Sequence, residues 1–206
     1  GIGQDAMNGG ATTGNNNIAI GYKSGDALTS GKNNVLMGLN AGGAVTSPSN
    51  LVVIGKDAGG AIDDPEADGS VVIGSGAGAA LSEAIGSVAI GYQALAAEND
   101  GDFNTAIGHQ ALTAQTGTSG TVANTAVGYK AGTAITTGVR NVFIGSDVAA
   151  GTTNVDRSVA IGYAAMGNAN VTADGDGTVA IGYTALLSLV SGIGNVAIGY
   201  QALDAE

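Results

Sequence analysis

The sequence predicts an all-β protein: a parallel β-solenoid, or β-roll, of twelve repeats of about 17 residues that spans residues 1–206 as a single domain. Three observations lead there. A Gly recurs at nearly constant spacing, the residues just before it alternate with a period of two, and the composition lacks the bulky side chains of a conventional core.

The recurring Gly stands at Gly3, Gly21, Gly38, Gly55, Gly74, Gly91, Gly108, Gly128, Gly145, Gly162, Gly182 and Gly199, at intervals of 18, 17, 17, 19, 17, 17, 20, 17, 17, 20 and 17. The residue before it is Ile in ten of twelve units, Met37 and Val127 being the exceptions. Three before it stands Val, Ile or Thr, and between them usually Ala, as in Ala89, Ala106, Ala160 and Ala197. Apolar residues at −3 and −1 around a small one predict a strand of about six residues that buries its Val/Ile face. Asn, Ser or Thr precedes that strand at −4 in ten of eleven units, and Ala follows the Gly by three in ten of twelve. Loops rich in Gly, Thr, Asn and Asp then close each unit as turns.

One such strand cannot bury its apolar face alone. Stacking the units at ~4.8 Å puts Ile on Ile and Val on Val, and twelve rungs make a rod of roughly 58 Å. The repeated Gly suits a bend or a close backbone approach, and Asn at −4 can stack and satisfy turn backbone. The longer intervals are the first, fourth, seventh and tenth, which leaves two arrangements open. In one, a single chain places three repeats in each layer, with the extended loops along one edge. In the other, a duplicated three-unit cassette folds in a homotrimer. Both give a layer three-lobed about a central apolar axis where Val and Ile strands meet.

The motifs Ser87-Val88-Ala89-Ile90-Gly91-Tyr92, Ser158-Val159-Ala160-Ile161-Gly162-Tyr163 and Asn195-Val196-Ala197-Ile198-Gly199-Tyr200 resemble the head repeats of trimeric autotransporter adhesins. Asn104-Thr105-Ala106-Ile107-Gly108-His109-Gln110-Ala111-Leu112 is similar to repeats of phage tail-fibre proteins. The resemblance covers nearly every unit, although these repeats are longer than the usual adhesin repeat. It implies an extracellular, rod-forming adhesive part in which three chains wind as left-handed parallel β-rolls around a shared apolar axis.

Composition narrows the function further. Hydrophobic residues are 44% but aromatics only 4%, so the interior is thin and built from small and β-branched groups. With 17 acidic and 6 basic residues the net charge is −11, which repels phosphates and acidic headgroups, so neither nucleic-acid nor membrane-surface binding is expected, and without a run of about 18 apolar residues membrane insertion is not expected either. The absence of Cys rules out disulfides and thiolate chemistry. No nucleophile–base pair stands out from the repeat, and an enzyme is not expected. The chain begins with Gly rather than Met, and we read it as a segment of a longer fibre.

Two groups of residues are candidate sites. All six Tyr, Tyr22, Tyr92, Tyr129, Tyr163, Tyr183 and Tyr200, follow the repeat Gly, as does His109. They share one column, which either packs rung on rung as a structural ladder or stacks on the sugar rings of a ligand. His109 reads as a replacement for Tyr. No cofactor is expected; calcium is the ion that the oxygen-rich acidic turns would suit, with Asp100, Asp102, Asp174 and Asp176 the residues to examine. Solvated polar turns account for the same residues, and neither the EF-hand spacing nor the Gly-Gly-x-Gly-x-Asp pattern is present. The expected function is a rigid extracellular rod for surface or host-cell attachment, self-associated and offered to a cell-surface glycan or protein receptor. The alternative is a structural subunit of an end-to-end stacked filament that binds no receptor.

Overall fold

A computed structural model describes residues 1–10, 13–117, 120–167 and 175–204. Eleven three-residue strands form one parallel sheet in chain order: β1 (Ile18–Ile20), β2 (Val35–Met37), β3 (Val52–Ile54), β4 (Val71–Ile73), β5 (Val88–Ile90), β7 (Thr105–Ile107), β9 (Thr125–Val127), β10 (Val142–Ile144), β11 (Val159–Ile161), β12 (Val179–Ile181) and β13 (Val196–Ile198). The two-residue β6 (Gly101–Asp102) and β8 (Gly120–Thr121) pair separately. The first unit joins through a bridge between Ile2 and Ile20. No α-helix is present among the described residues.

The units stack in the register of the motif, Val88 opposite Thr105, Ala89 opposite Ala106 and Ile90 opposite Ile107. Each unit is therefore one complete turn of a β-solenoid. A single chain with three repeats per layer is excluded, because β1 would then pair with β4, whereas it pairs with β2. The chain can close so tightly because it turns through left-handed backbone at three places per rung. After Gly91 these are Gln93 (φ 52°), Leu95 (φ 54°) and Phe103 (φ 60°), and equivalent residues repeat the pattern elsewhere. Longer units add their residues to a turn, and the strands keep register across them, Val52 opposite Val71 and Val159 opposite Val179.

The strands end after three residues, not six, because the recurring Gly bends the chain. At Gly91 φ is 133°, and a Cβ there would collide with the Gly108 carbonyl of the next rung. The inward face also differs from the expectation. The −2 column (Ala19, Leu36, Val53, Val72, Ala89, Ala106, Ala126, Phe143, Ala160, Ala180, Ala197) is buried, while Val and Ile at −3 and −1 point outward, half-buried or exposed. A turn of about 17 residues encloses a slender interior, which small groups fill.

That interior is filled by complementary volumes. Where −2 is Ala, the +4 residue of the same rung is large in five of seven rungs, as in Ala89 with Leu95, Ala106 with Leu112 and Ala160 with Met166; the exceptions, Ala19 with Gly25 and Ala126 with Gly132, have Leu36 and Phe143 of the next rung against the Gly. Where −2 is large, +4 is small, as in Leu36 with Gly42, Val53 with Gly59 and Phe143 with Ala149. The other wall comes from Leu28, Val45, Ile62, Leu81 and Ile135.

A buried polar ladder runs beside this apolar filling. Most −4 side chains accept from the next rung's backbone: Asn124 N–H donates to Asn104 Oδ1 (3.0 Å), Asn141 N–H to Asn124 Oδ1 (2.9 Å) and Ser158 N–H to Asn141 Oδ1 (2.9 Å). Asn34 Nδ2 donates onward to the Pro48 carbonyl (2.9 Å), as Asn124 Nδ2 does to that of Gly138 (2.6 Å). Interior backbone groups that the sheet leaves unpaired are thus satisfied.

Candidate functional site

Three surface features rest on this frame. The first is the apolar outer face of the sheet. Its −3 and −1 columns carry no charged residue on any of the eleven strands, over a length of about 48 Å at the usual strand spacing. A contiguous apolar face this long is unusual on a monomeric soluble protein.

The second is the aromatic column. All six Tyr occupy equivalent places and are 45–73% exposed. Tyr92, His109 and Tyr129 stack at centroid separations of 5.1 and 5.4 Å, and Tyr163, Tyr183 and Tyr200 at 5.3 and 5.2 Å. The structure thus brings together the rings that the repeat aligned, and His109 occupies a Tyr place between two Tyr. Within each run the ring faces cover one another, so sugar stacking is confined to the faces at the run ends. Lys23 and Lys130 reach over the Tyr22 and Tyr129 rings, with Nζ 5.8 and 5.3 Å from the centroids.

The third is a set of acidic turns. Asp100 and Asp102 line a cavity of about 170 Å³ together with Asp64, Glu66 and Glu83. Asp102 Oδ1 accepts from Ile85 N–H (2.9 Å), and Asp100 Oδ1 is buried without a hydrogen-bond partner among the described residues. Asp176 lies four rungs further along, where Oδ1 accepts from Asp156 N–H (2.9 Å) and Oδ2 pairs with Arg157 (3.2 Å). Asp174 lies outside the described residues. Among the described residues, no group of three or more His, Asp or Glu side chains is placed to hold a metal ion.

A recurrent use of these acids is visible instead. At −6, Asp68, Asp102, Asp156 and Asp176 each accept from a backbone N–H of the preceding rung. Glu98, which the sequence placed in an acidic loop, is fully buried at the +7 position that Leu28, Ile62, Leu81 and Ile135 occupy in other rungs. Its carboxylate accepts from Asn99, Gly101 and Gly117 N–H (2.9, 2.9 and 3.2 Å). Oxygen-rich turns here therefore serve backbone that rung stacking leaves unpaired.

A buried ladder, a ring column and an uncharged outer face define the class of this chain as a parallel β-solenoid repeat protein. Compared with family models, with curated proteins and with solved structures, the chain matches none.

Proposed function

We propose that this chain is a segment of an extracellular structural and adhesive fibre, in which three copies pack their Val/Ile faces about a shared axis and present their turns and ring column to a receptor. The observation that carries the reading is the outer sheet face, two columns without a charge along eleven rungs and apolar except at Thr105 and Thr125. Exposed to water it is a costly surface; packed against copies of itself it becomes a dry core, since each rung meets an identical rung. Three copies, rather than two, follow from the motif's resemblance to trimeric adhesin heads. The absence of a recognisable nucleophile–base arrangement from the repeat favours a mechanical role over an enzymatic one.

Sedimentation equilibrium of the purified chain tests the assembly. The expected mass is three times that of the chain and is constant over a concentration series. A monomer overturns the packed face, a dimer overturns the threefold axis, and a mass that climbs without limit favours the end-to-end filament. Binding of the intact protein to host cells tests the adhesive part, which a purely structural filament would fail.

A further inference from the structure

The ring column has one gap a single place wide with an aromatic ring on each side; the other gap, between Tyr22 and Tyr92, is three places wide. Along successive rungs the place after the repeat Gly holds Tyr92, His109, Tyr129, Ser146, Tyr163, Tyr183 and Tyr200. Strands β9, β10 and β11 pair without slip, with Val142 opposite both Thr125 and Val159. Asp147 N–H donates to the Tyr129 carbonyl (2.9 Å) and Ala164 N–H to that of Ser146 (3.0 Å), which keeps the three places aligned. Tyr129 and Tyr163 therefore stand two rungs apart, about 10 Å. The column's own rings stack at 5.1–5.4 Å, so the gap is one six-membered ring high. Tyr183 fills the corresponding place between Tyr163 and Tyr200.

Polar groups surround the gap. Ser146 Oγ donates to Asp147 Oδ2 (2.8 Å), and Lys130 Nζ stands over the Tyr129 ring at 5.3 Å. A cation–π contact at an exposed site is worth only about 0.5–1 kcal/mol, so this ammonium can swing aside and donate to a ligand. Tyr163 and Asp147 also border a groove of about 440 Å³ that continues over Ala164, Thr184 and Leu187. Thr184 is 7% exposed, and its hydroxyl has no hydrogen-bond partner among the described residues.

We propose that the gap at Ser146 is a saccharide subsite. A pyranose ring enters between Tyr129 and Tyr163 with its C–H faces against the two π faces. Its rim hydroxyls donate to the Asp147 carboxylate and accept from Lys130, and a second sugar residue runs along the groove past Thr184. An aromatic side chain of a protein partner has the same height, but its apolar rim answers neither Asp147 nor Lys130. The inference rests on the adhesive reading and names its ligand class.

The intact protein is screened on an array of immobilised oligosaccharides, and the terminal residue of the best hit is then used as its methyl pyranoside in saturation-transfer NMR. Transfer is expected at the C–H protons of both ring faces. Ser146→Tyr completes the column as Tyr183 does, so the protein stays folded, and affinity falls by at least roughly tenfold as two stacking faces are lost. Ser75→Tyr adds a ring beside Tyr92 with Lys56 on its other side, and leaves affinity unchanged. If Ser146→Tyr binds like the parent, the subsite is wrong and adhesion stands. If the array is silent while cells are still bound, the ligand is not a saccharide and the subsite again falls. If cells are not bound either, the adhesive reading is what fails.

Discussion

Asn124 shows how much one side chain carries in a stacked fold. It accepts from Asn141 N–H (2.9 Å) and donates to the Gly138 carbonyl (2.6 Å) and Gln115 Oε1 (2.8 Å), all buried. Asn124→Ala leaves those groups without partners in a dry interior and is expected to cost about 2–4 kcal/mol, read from the denaturation midpoint. Asn124→Ser should recover part of that loss, because Ser70 and Ser87 accept from the next rung's backbone at the same place in their own rungs. This column was legible in the sequence, since Asn, Ser or Thr at one place in ten of eleven units marks a short polar side chain bonded to nearby backbone. Ser146 was legible only as a break in the Tyr column. That the break lies between two rings required knowing that each unit stacks directly on the one before. Glu98 was the reverse case, because acidic neighbours made it look like a solvated turn. Its position seven after the repeat Gly, in a column that holds Leu28, Val45, Ile62, Leu81 and Ile135 beside Gln115 and Thr152, was the signal that it is interior.

At the scale of the rung, alternation identified every strand of the main sheet but assigned its faces the wrong way round. Period two states only that two faces differ, and ranking them by hydrophobicity puts Val and Ile inside. Volume is the better criterion: a turn of about 17 residues has room inside for Ala at −2 with Leu at +4, or for the reverse. That anticorrelation holds in nine of eleven units, Ala19 with Gly25 and Ala126 with Gly132 being the exceptions, and it points inward on its own. It also yields a test by paired substitution. Phe143→Ala should cost about 3–5 kcal/mol through the cavity it leaves. Adding Ala149→Leu restores the pairing seen for Ala106 with Leu112, whose backbone at Leu112 has the same φ of 49° as Ala149. The double variant should therefore be more stable than Phe143→Ala alone, a coupling that thermal denaturation of the four proteins measures.

For the molecule as a whole, an inverted strand face changes what the chain needs. The interior of one chain is complete without the Val and Ile of the −3 and −1 columns, which frees those columns for the association proposed above. Val88→Lys with Ile161→Lys places two ammonium groups on that face without touching the interior. The expected outcome is an unchanged far-ultraviolet circular dichroism spectrum and a drop to the mass of one chain in sedimentation equilibrium. An unchanged assembly mass would place the contact elsewhere.

The stacking of rungs has a mechanical consequence. The bonds that join one rung to the next, such as Gly91 N–H to the Ile73 carbonyl (2.7 Å) and Gly108 N–H to that of Ile90 (2.7 Å), link adjacent strands along the rod. Tension applied along the rod loads these bonds by peeling rather than by shear, so a single chain should give way one rung at a time. Each event would release about 17 residues and lengthen the tether by roughly 55 Å. Single-molecule pulling should then show a train of small, evenly spaced steps instead of one large rupture. A rod that yields in this manner dissipates a sudden load gradually and can recoil by rewinding its last turn onto the intact one beneath it.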